Sequence, residues 1–386
     1  MKRNTSFLII FSLIFIFFCG HFKNNITFAK IKNMDVVDSN SSSARSMIVL
    51  ETKNNTTLYA KNENEKLPMA STTKIVTALT VIENCDNLNK EITIPLKATL
   101  VEGSSIYLKE NEVLTIKQLL YGLMLQSGND AATALALEIG NGSIEKFAEI
   151  MNETAKKYGA TDSNFVTPHG LDDKNHYTTA KDLAIITSNA LKNKVFKEIV
   201  STKVYKIDAT ENCKARTIIN KNKLLNSLEG CIGVKTGYTS KAGRCLVSAC
   251  ERNGMEVVCV VLNCRPMFEE SAELINKAFK EYKLYEILTP YKFVTDVKVE
   301  DGKNTSLRLY NKKGFSVVAK EKDIEKYSIV YDYIKKVKAP VKKDNVLGKV
   351  EIYFDKTLIF SEDLCSIEQV DSIDTNDKIK NILDKW

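Results

Sequence analysis

Pro68-Met69-Ala70-Ser71-Thr72-Thr73-Lys74-Ile75-Val76-Thr77-Ala78-Leu79 is the stretch around which this chain is organised. After Lys74 an apolar helical run continues through Val81 and Ile82, with hydrophobic positions most of the way round. Such a helix belongs in the middle of a domain rather than on its surface. Ser71 and Lys74 stand at its first turn. Three residues make about one turn, so the hydroxyl and the amine project from one face. A serine there also meets the free N–H groups and the positive end of the helix dipole. That suits a nucleophile whose proton passes to a neighbouring amine. Taken alone, an N-cap serine followed by a snorkelling lysine explains the same spacing. The rest of the chain decides between them.

Working outward, a second helix is expected over 115–125 (Ile116, Leu119, Leu120, Leu123, Met124), with Thr115 as its cap. It runs into Gln126-Ser127-Gly128-Asn129-Asp130, and another apolar helix follows at once over 131–139. A polar, glycine-containing knuckle between two buried helices projects its side chains into whatever cleft the helices flank. Further helices are expected over 143–158, 179–191 and 268–282, with a turn at Thr167-Pro168-His169-Gly170-Leu171. Residues 46–51 and 57–60, around Lys53-Asn54-Asn55, read as a β-hairpin. Short strands are expected at 91–94 and 105–108. A third polar cluster, Lys235-Thr236-Gly237-Tyr238-Thr239, precedes two apolar strands, 244–250 and 255–262, joined by Arg252-Asn253-Gly254. Strands early, helices in the middle and strands late imply one sheet assembled from both ends of a domain.

The chain ends carry different signals. Met1-Lys2-Arg3 followed by an apolar run to Phe18 has the form of a secretory signal, with a small-residue cleavage site at Thr27-Phe28-Ala29. An uncleaved signal anchor is the alternative, and Cys19 follows residues too bulky for a lipoprotein site. Loss of Lys2, Arg3 and Lys23 lowers the formal charge from +7 to +4. That is too mild to argue for nucleic acid. The nine cysteines show no C-x-x-C pairing, and those at 245, 250, 259 and 264 lie in apolar runs where cysteine acts as a small hydrophobe. Only His169 and His176 remain after the signal, too few for a histidine-based zinc site. The expected organisation is a signal peptide over 1–29, a flexible lead-in over 30–45, a catalytic domain over 46–285 and a β-rich domain over 286–370. A tail over 371–386 follows, where Ile379, Ile382, Leu383 and Trp386 would line one face of a short helix.

Ser71-x-x-Lys74, Ser127-Gly128-Asn129 and Lys235-Thr236-Gly237 occur in that order. Each triplet is weak alone. Together they resemble the set of class A β-lactamases and penicillin-binding proteins. Gly128 in the middle triplet resembles the low-molecular-mass D-alanyl-D-alanine carboxypeptidases in particular. So do Leu67-Pro68-Met69-Ala70, the turn at 167–171, Asn220-Lys221-Asn222-Lys223-Leu224-Leu225 and Ala242-Gly243. The resemblance covers about 45–285 well and 286–370 more loosely, chiefly through Ala339-Pro340-Val341 and Leu347-Gly348.

The resemblance implies an α/β fold: a penicillin-binding-protein/β-lactamase-like domain, with an antiparallel sheet and a helical subdomain, followed by a small β-rich C-terminal domain. It implies a serine-type carboxypeptidase that removes the terminal D-alanine from peptidoglycan stem peptides through a Ser71 acyl-enzyme. Penicillins and other β-lactams would be covalent inhibitors. It implies no cofactor or metal, no nucleic acid, and an extracytoplasmic site of action, with membrane contact through the tail. Lys74 serves as base only if neutral; a free lysine titrates near 10.4, and burial together with Lys235 would lower that. Ser127 is suited to relay the proton. Asn129 would orient Lys74 and hold the substrate amide. Lys235, Thr236 and Thr239 would receive the terminal carboxylate. By the family's pattern the oxyanion hole is the backbone N–H of Ser71 with that of Tyr238, and Gly237 lets the strand approach the substrate. Relatives often add an arginine beyond the last strand, a role open here to Arg244, Arg265 or neither. A β-lactamase is the near alternative, opposed by Asn222 where such enzymes carry a glutamate. A non-catalytic penicillin-sensing or wall-binding protein is the alternative from another class.

Overall fold

The computed structural model describes residues 42–374. The signal, most of the lead-in and Ile379, Ile382, Leu383 and Trp386 of the tail lie outside the described residues. Strands β1 (Ser46–Glu51) and β2 (Thr56–Lys61) come first, and β3 (Cys231–Thr239), β4 (Gly243–Arg252) and β5 (Met255–Leu262) return after the helices. They form one antiparallel sheet in the order β2-β1-β5-β4-β3, so the two ends of the domain meet at the β1–β5 ladder. β3 is an edge strand.

Both faces of this sheet are buried, which is why its strands read as continuous apolar runs rather than alternating ones. Along β1, Ile48 and Leu50 point to one core while Met47 and Val49 point to the other; along β5, Val258 and Val260 oppose Val257 and Val261. The first core holds the helical layer: α1 (Lys74–Glu83), α2 (Ile116–Tyr121), α3 (Asn129–Ile139), α4 (Ile144–Lys157), α5 (Ala180–Leu191) and α6 (Lys194–Ser201). The second core is closed by α7 (Met267–Glu281). α1 is buried continuously from Lys74 to Val81, as its all-round apolar pattern requires. Thr115 caps α2 in a capping box with Gln118, and Ser143 and Thr179 cap α4 and α5.

Residues 105–108 are not a strand. The backbone N–H groups of Ile106 and Leu108 donate to the Asp130 carboxylate at 3.1 and 3.0 Å instead of to a neighbouring strand. Tyr107 between them sits at φ 61°, which breaks the extended run. Helix α6 and a hairpin of Val204–Ile207 with Arg216–Ile219 add elements that the sequence pattern did not mark.

Beyond α7, strand Lys283–Leu288 pairs with Phe315–Ala319. A six-stranded sheet follows, in the order Tyr327–Tyr333, Val346–Phe354, Thr357–Ser366, Ser306–Asn311, Phe293–Glu300, Lys336–Lys338. Its own core is built on residues such as Val297, Leu309, Val350 and Leu364. The chain thus has the expected architecture, an antiparallel sheet with a helical subdomain followed by a β-rich unit. Among the described residues no helix is long and apolar enough to cross a membrane.

Candidate active site

Ser71 lies in a 3-10 turn, Ala70–Thr73, that leads straight into α1. Ala70 is held at φ 50°, a left-handed conformation that a residue with a Cβ adopts only when its surroundings impose it. Two surroundings do so. Gly170 approaches so closely that a Cβ there would stand 2.0 Å from the Ala70 carbonyl oxygen. On the other side, a Cβ at Gly237 would stand 3.0 Å from the Met69 carbonyl oxygen and 3.1 Å from the backbone nitrogens of Ser71 and Thr72. The Ala70–Thr73 turn is therefore clamped between the 167–171 turn and edge strand β3. Only glycine permits both contacts.

One helical turn on, Lys74 is fully buried. Its Nζ lies 2.9 Å from Ser71 Oγ, 2.7 Å from Asn129 Oδ1 and 2.7 Å from the backbone oxygen of His169. The Asn129 amide is oriented independently, because its Nδ2 donates to the Glu102 carbonyl at 2.7 Å. Asn129 Oδ1 and the His169 carbonyl can only accept. A neutral amine has two N–H donors and one lone pair. The two acceptors take the donors, and the lone pair is left facing Ser71 Oγ. Burial, then the like charges of Lys235 and Lys221, push the Lys74 amine well below its ordinary value of 10.5, while Asp130 opposes them. That environment favours the neutral amine.

The second wall is the polar knuckle. The chain leaves α2 through a π-helical turn, Gly122–Gln126, and Ser127 follows at φ 66°, again left-handed and buried. Gly128 N–H then donates to Gly122 O at 3.1 Å, and Asn129 N–H to Ser104 O at 2.7 Å. Asp130 anchors the facing loop by accepting from Ser105 Oγ at 2.6 Å as well as from Ile106 and Leu108.

The third wall is β3. Lys235 is also buried, at 1 % exposure, and its Nζ donates to the adjoining Thr236 carbonyl at 2.8 Å. Burial and the Lys221 charge lower it to about 7. Tyr238 is exposed, with the Arg244 guanidinium 5.7 Å over its ring, and the two residues face each other across β3 and β4. Thr239 Oγ1 donates to Asp172 Oδ1 at 2.8 Å and accepts from the Ala242 N–H at 3.0 Å, so its hydroxyl is already engaged.

Ser71, Lys74 and Asn129 are thus linked directly, and Gly237 brings the Lys235–Thr239 segment against the turn that carries Ser71. Sequence reasoning missed several contributors. The His169 carbonyl acts through its backbone, so no side-chain motif marks it, although Gly170 at φ 84° marks the turn. Lys221, whose Nζ lies 3.3 Å from Ser104 Oγ, is the second cation, after Lys235, that acts on Lys74. The two histidines serve structure. His176 Nδ1 accepts from the Val166 N–H at 3.1 Å, so Nε2 carries the proton and donates to Thr73 Oγ1 at 2.8 Å, which in turn donates to Ala70 O. Burial above all holds His169 down to about 3 and His176 down to about 4. Both are neutral at physiological pH.

Comparison with known proteins identifies the family. A family model described as D-alanyl-D-alanine carboxypeptidase matches residues 33–265, and one for the penicillin-binding protein 5 C-terminal domain matches residues 279–372. D-alanyl-D-alanine carboxypeptidase DacF of Bacillus subtilis is 30% identical over 355 residues, spanning 89% of this chain and 90% of its own length. DacC of Escherichia coli is 32% identical, over 87% of this chain and 86% of its own. Among solved structures, penicillin-binding protein 5 from Haemophilus influenzae superposes with a TM-score of 0.69 at 27% identity, covering 86% of this chain and 98% of that one.

Proposed function

As a member of the D-alanyl-D-alanine carboxypeptidase family of low-molecular-mass penicillin-binding proteins, this chain is a serine-type D-Ala-D-Ala carboxypeptidase, and we propose that Ser71 is its nucleophile and Lys74 its base. The observation that carries this reading is the ligand set of the Lys74 amine, which leaves one lone pair for one hydroxyl. Lys74 takes the Ser71 proton as Oγ attacks the carbonyl carbon of the penultimate D-alanine. The oxyanion that forms is held by the N–H groups of Ser71 and Tyr238, a reading supported by the contact of Gly237 with the nucleophile turn. The proton then passes from Lys74 by way of Ser127 to the nitrogen of the departing D-alanine. Water hydrolyses the acyl-enzyme with Lys74 again as base, which restores Ser71.

With Lys74 neutral, Lys235 and Lys221 are the cations that make the site attractive to an anion. Lys235 and Thr236 receive the terminal carboxylate, with Thr239 at the rim. Of the two arginines considered, Arg244 has the better position, being across from Tyr238 in the ladder. Asn129 keeps a second N–H for the substrate amide. A β-lactam enters the same path and stays as a slowly released acyl group. At 222 the side chain is a buried amide that accepts from the Leu224 N–H at 3.1 Å, with no carboxylate to activate a hydrolytic water.

The test is Ser71→Ala. Labelling by a fluorescent penicillin and release of D-alanine from a pentapeptide both fall to background while the circular dichroism spectrum is unchanged. Label retained elsewhere, for example on Ser127, sinks the assignment. Rapid release of the wild-type label points to a β-lactamase, and no label at all to a non-catalytic sensor.

We further propose that the protein is exported through residues 1–29 and works on peptidoglycan outside the cell membrane. The tail would add weak surface binding, since attachment scales with apolar area inserted and only four apolar residues share its face. Sedimentation with anionic vesicles should show partial, salt-sensitive association that is lost on deleting residues 373–386. Equal sedimentation of both proteins removes the anchor.

A further inference from the structure

We propose that Cys231 and Cys250 are a redox-active pair that closes to a cross-strand disulfide when it meets a disulfide oxidant. The two residues face each other in the ladder between β3 and β4. The adjoining pair, Gly230 and Glu251, is hydrogen-bonded, with Glu251 N–H donating to Gly230 O at 2.9 Å. Opposed pairs in an antiparallel ladder alternate between hydrogen-bonded and non-hydrogen-bonded. Cys231 and Cys250 therefore form a non-hydrogen-bonded pair, and the Cys231 N–H donates elsewhere, to Leu228 O at 3.2 Å. In a regular ladder the Cα atoms of such a pair stand about 4.5 Å apart, within the roughly 4.4–6.8 Å that a disulfide spans, and the register shift in β3 falls just beyond this pair, between Cys231 and Gly233.

The two side chains share a face of the sheet: Cys250 belongs to the core under α7, and Cys231 packs against that same core. None of the other cysteines among the described residues has a cysteine opposite it in a strand ladder. Access is available from one side. That side is Cys231, which is half-buried while Cys250 is buried; a cavity of about 830 Å³ is lined by their chain neighbours Gly230 and Glu251 rather than by the thiols themselves.

The thiols differ in character. The Cys250 thiol lowers the pKa of Cys231, whereas Cys231 and then burial raise that of Cys250. Cys231 is accordingly the attacking group. Its thiolate attacks one sulfur of the oxidant, forming a mixed disulfide and expelling one thiolate. The Cys250 thiol then loses its proton, attacks the Cys231 sulfur and expels the second thiolate. The protein gives up two electrons and two protons, and the oxidant becomes two thiols. The bond ties the first residue of β3, the edge strand that carries Lys235 through Thr239, to its neighbour.

The test incubates the full chain with oxidised glutathione, blocks free thiols after denaturation and maps the unreduced digest by mass spectrometry. The expected product is a peptide pair joined through Cys231 and Cys250, lighter by two hydrogens than its reduced parts. The oxidised protein melts several degrees higher than the reduced one, because the link restricts the unfolded chain. Cys250→Ala stops at a stable glutathione adduct on Cys231, and Cys231→Ala gives neither link nor adduct at 250. The proposal is overturned if both wild-type thiols remain alkylatable, if the adduct on Cys231 persists without closing, or if the link joins other cysteines. The wild-type map requires no variant, so a Cys250→Ala protein that fails to fold still leaves the question decided.

Discussion

Two lysines flank Ser71, both as buried as core leucines, and their surroundings make them opposites. On the helix side, Lys74 faces Ser71, Asn129 and His169, so every position around its amine is assigned. On the strand side, Lys235 donates to the adjoining Thr236 carbonyl, and an ammonium has three donors to place. A saturated amine in a dry site, pressed by like charges, is stable as a neutral base. An amine with donors to spare in the same field is stable once an outside anion arrives. Burial alone does not assign a lysine its role; the number of acceptors waiting for it does.

Substitution by arginine separates the two most strongly. A guanidinium stays protonated and cannot act as a base. Lys74→Arg should therefore lower the second-order rate of penicillin acylation by about 10³-fold, the range of a lost general base. Lys235→Arg keeps the cation and should cost only about tenfold, as for one imperfect charge-assisted hydrogen bond. Thermal melts of both variants check that the buried sites tolerate the bulk. Equal losses would break the comparison.

The pH dependence sharpens it. Catalysis through free enzyme needs Lys74 neutral and Lys235 charged, so kcat/KM should be bell-shaped. The ascending limb follows loss of the proton from Lys74, whose pKa is held well below its ordinary value. The descending limb follows Lys235, near 7 before substrate binds. In kcat that limb should move to higher pH, because a bound carboxylate favours the ammonium. In Lys235→Arg the descending limb should vanish from kcat/KM while the ascending limb stays. A descending limb that survives the substitution assigns it to another group.

What the sequence made legible follows the same division between side chain and backbone. The helix after Ser71, its neighbours and the two-sided sheet were readable because apolar periodicity and capping residues such as Thr115 and Thr179 report them directly. The three polar clusters were readable because their chemistry lies in side chains. The 105–108 strand was misread because its N–H groups are taken by Asp130, a partner more than twenty residues away that no local pattern announces. The acceptor role of His169 is a carbonyl and invisible to any motif. Tyr327–Tyr333 carries no strand pattern in the sequence because this edge strand of the second sheet is exposed over most of its length, so its residues do not alternate between core and solvent.

The smallest expected effect tests the rim of the strand side, where Thr239 was read as a carboxylate ligand. Its hydroxyl proton is given to Asp172, an exposed carboxylate. A terminal carboxylate arriving at Lys235 therefore meets a hydroxyl that is engaged and a negative charge behind it. Asp172→Asn keeps an oxygen able to accept from Thr239 and removes the charge. If Thr239 reaches the substrate, KM for a carboxylate-ended peptide should fall about two- to threefold in dilute buffer, the size of an exposed charge interaction. The gain should shrink as salt is raised towards 0.5 M or so, where such charges are screened within a few ångströms. The kcat should not move, since Lys74 and Ser71 are untouched. The rate of acylation by a β-lactam, which also carries a carboxylate, should rise by the same small factor. An unchanged KM at low salt would instead make the Thr239–Asp172 bond a brace for the turn into β4, and leave carboxylate recognition to Lys235 and Thr236.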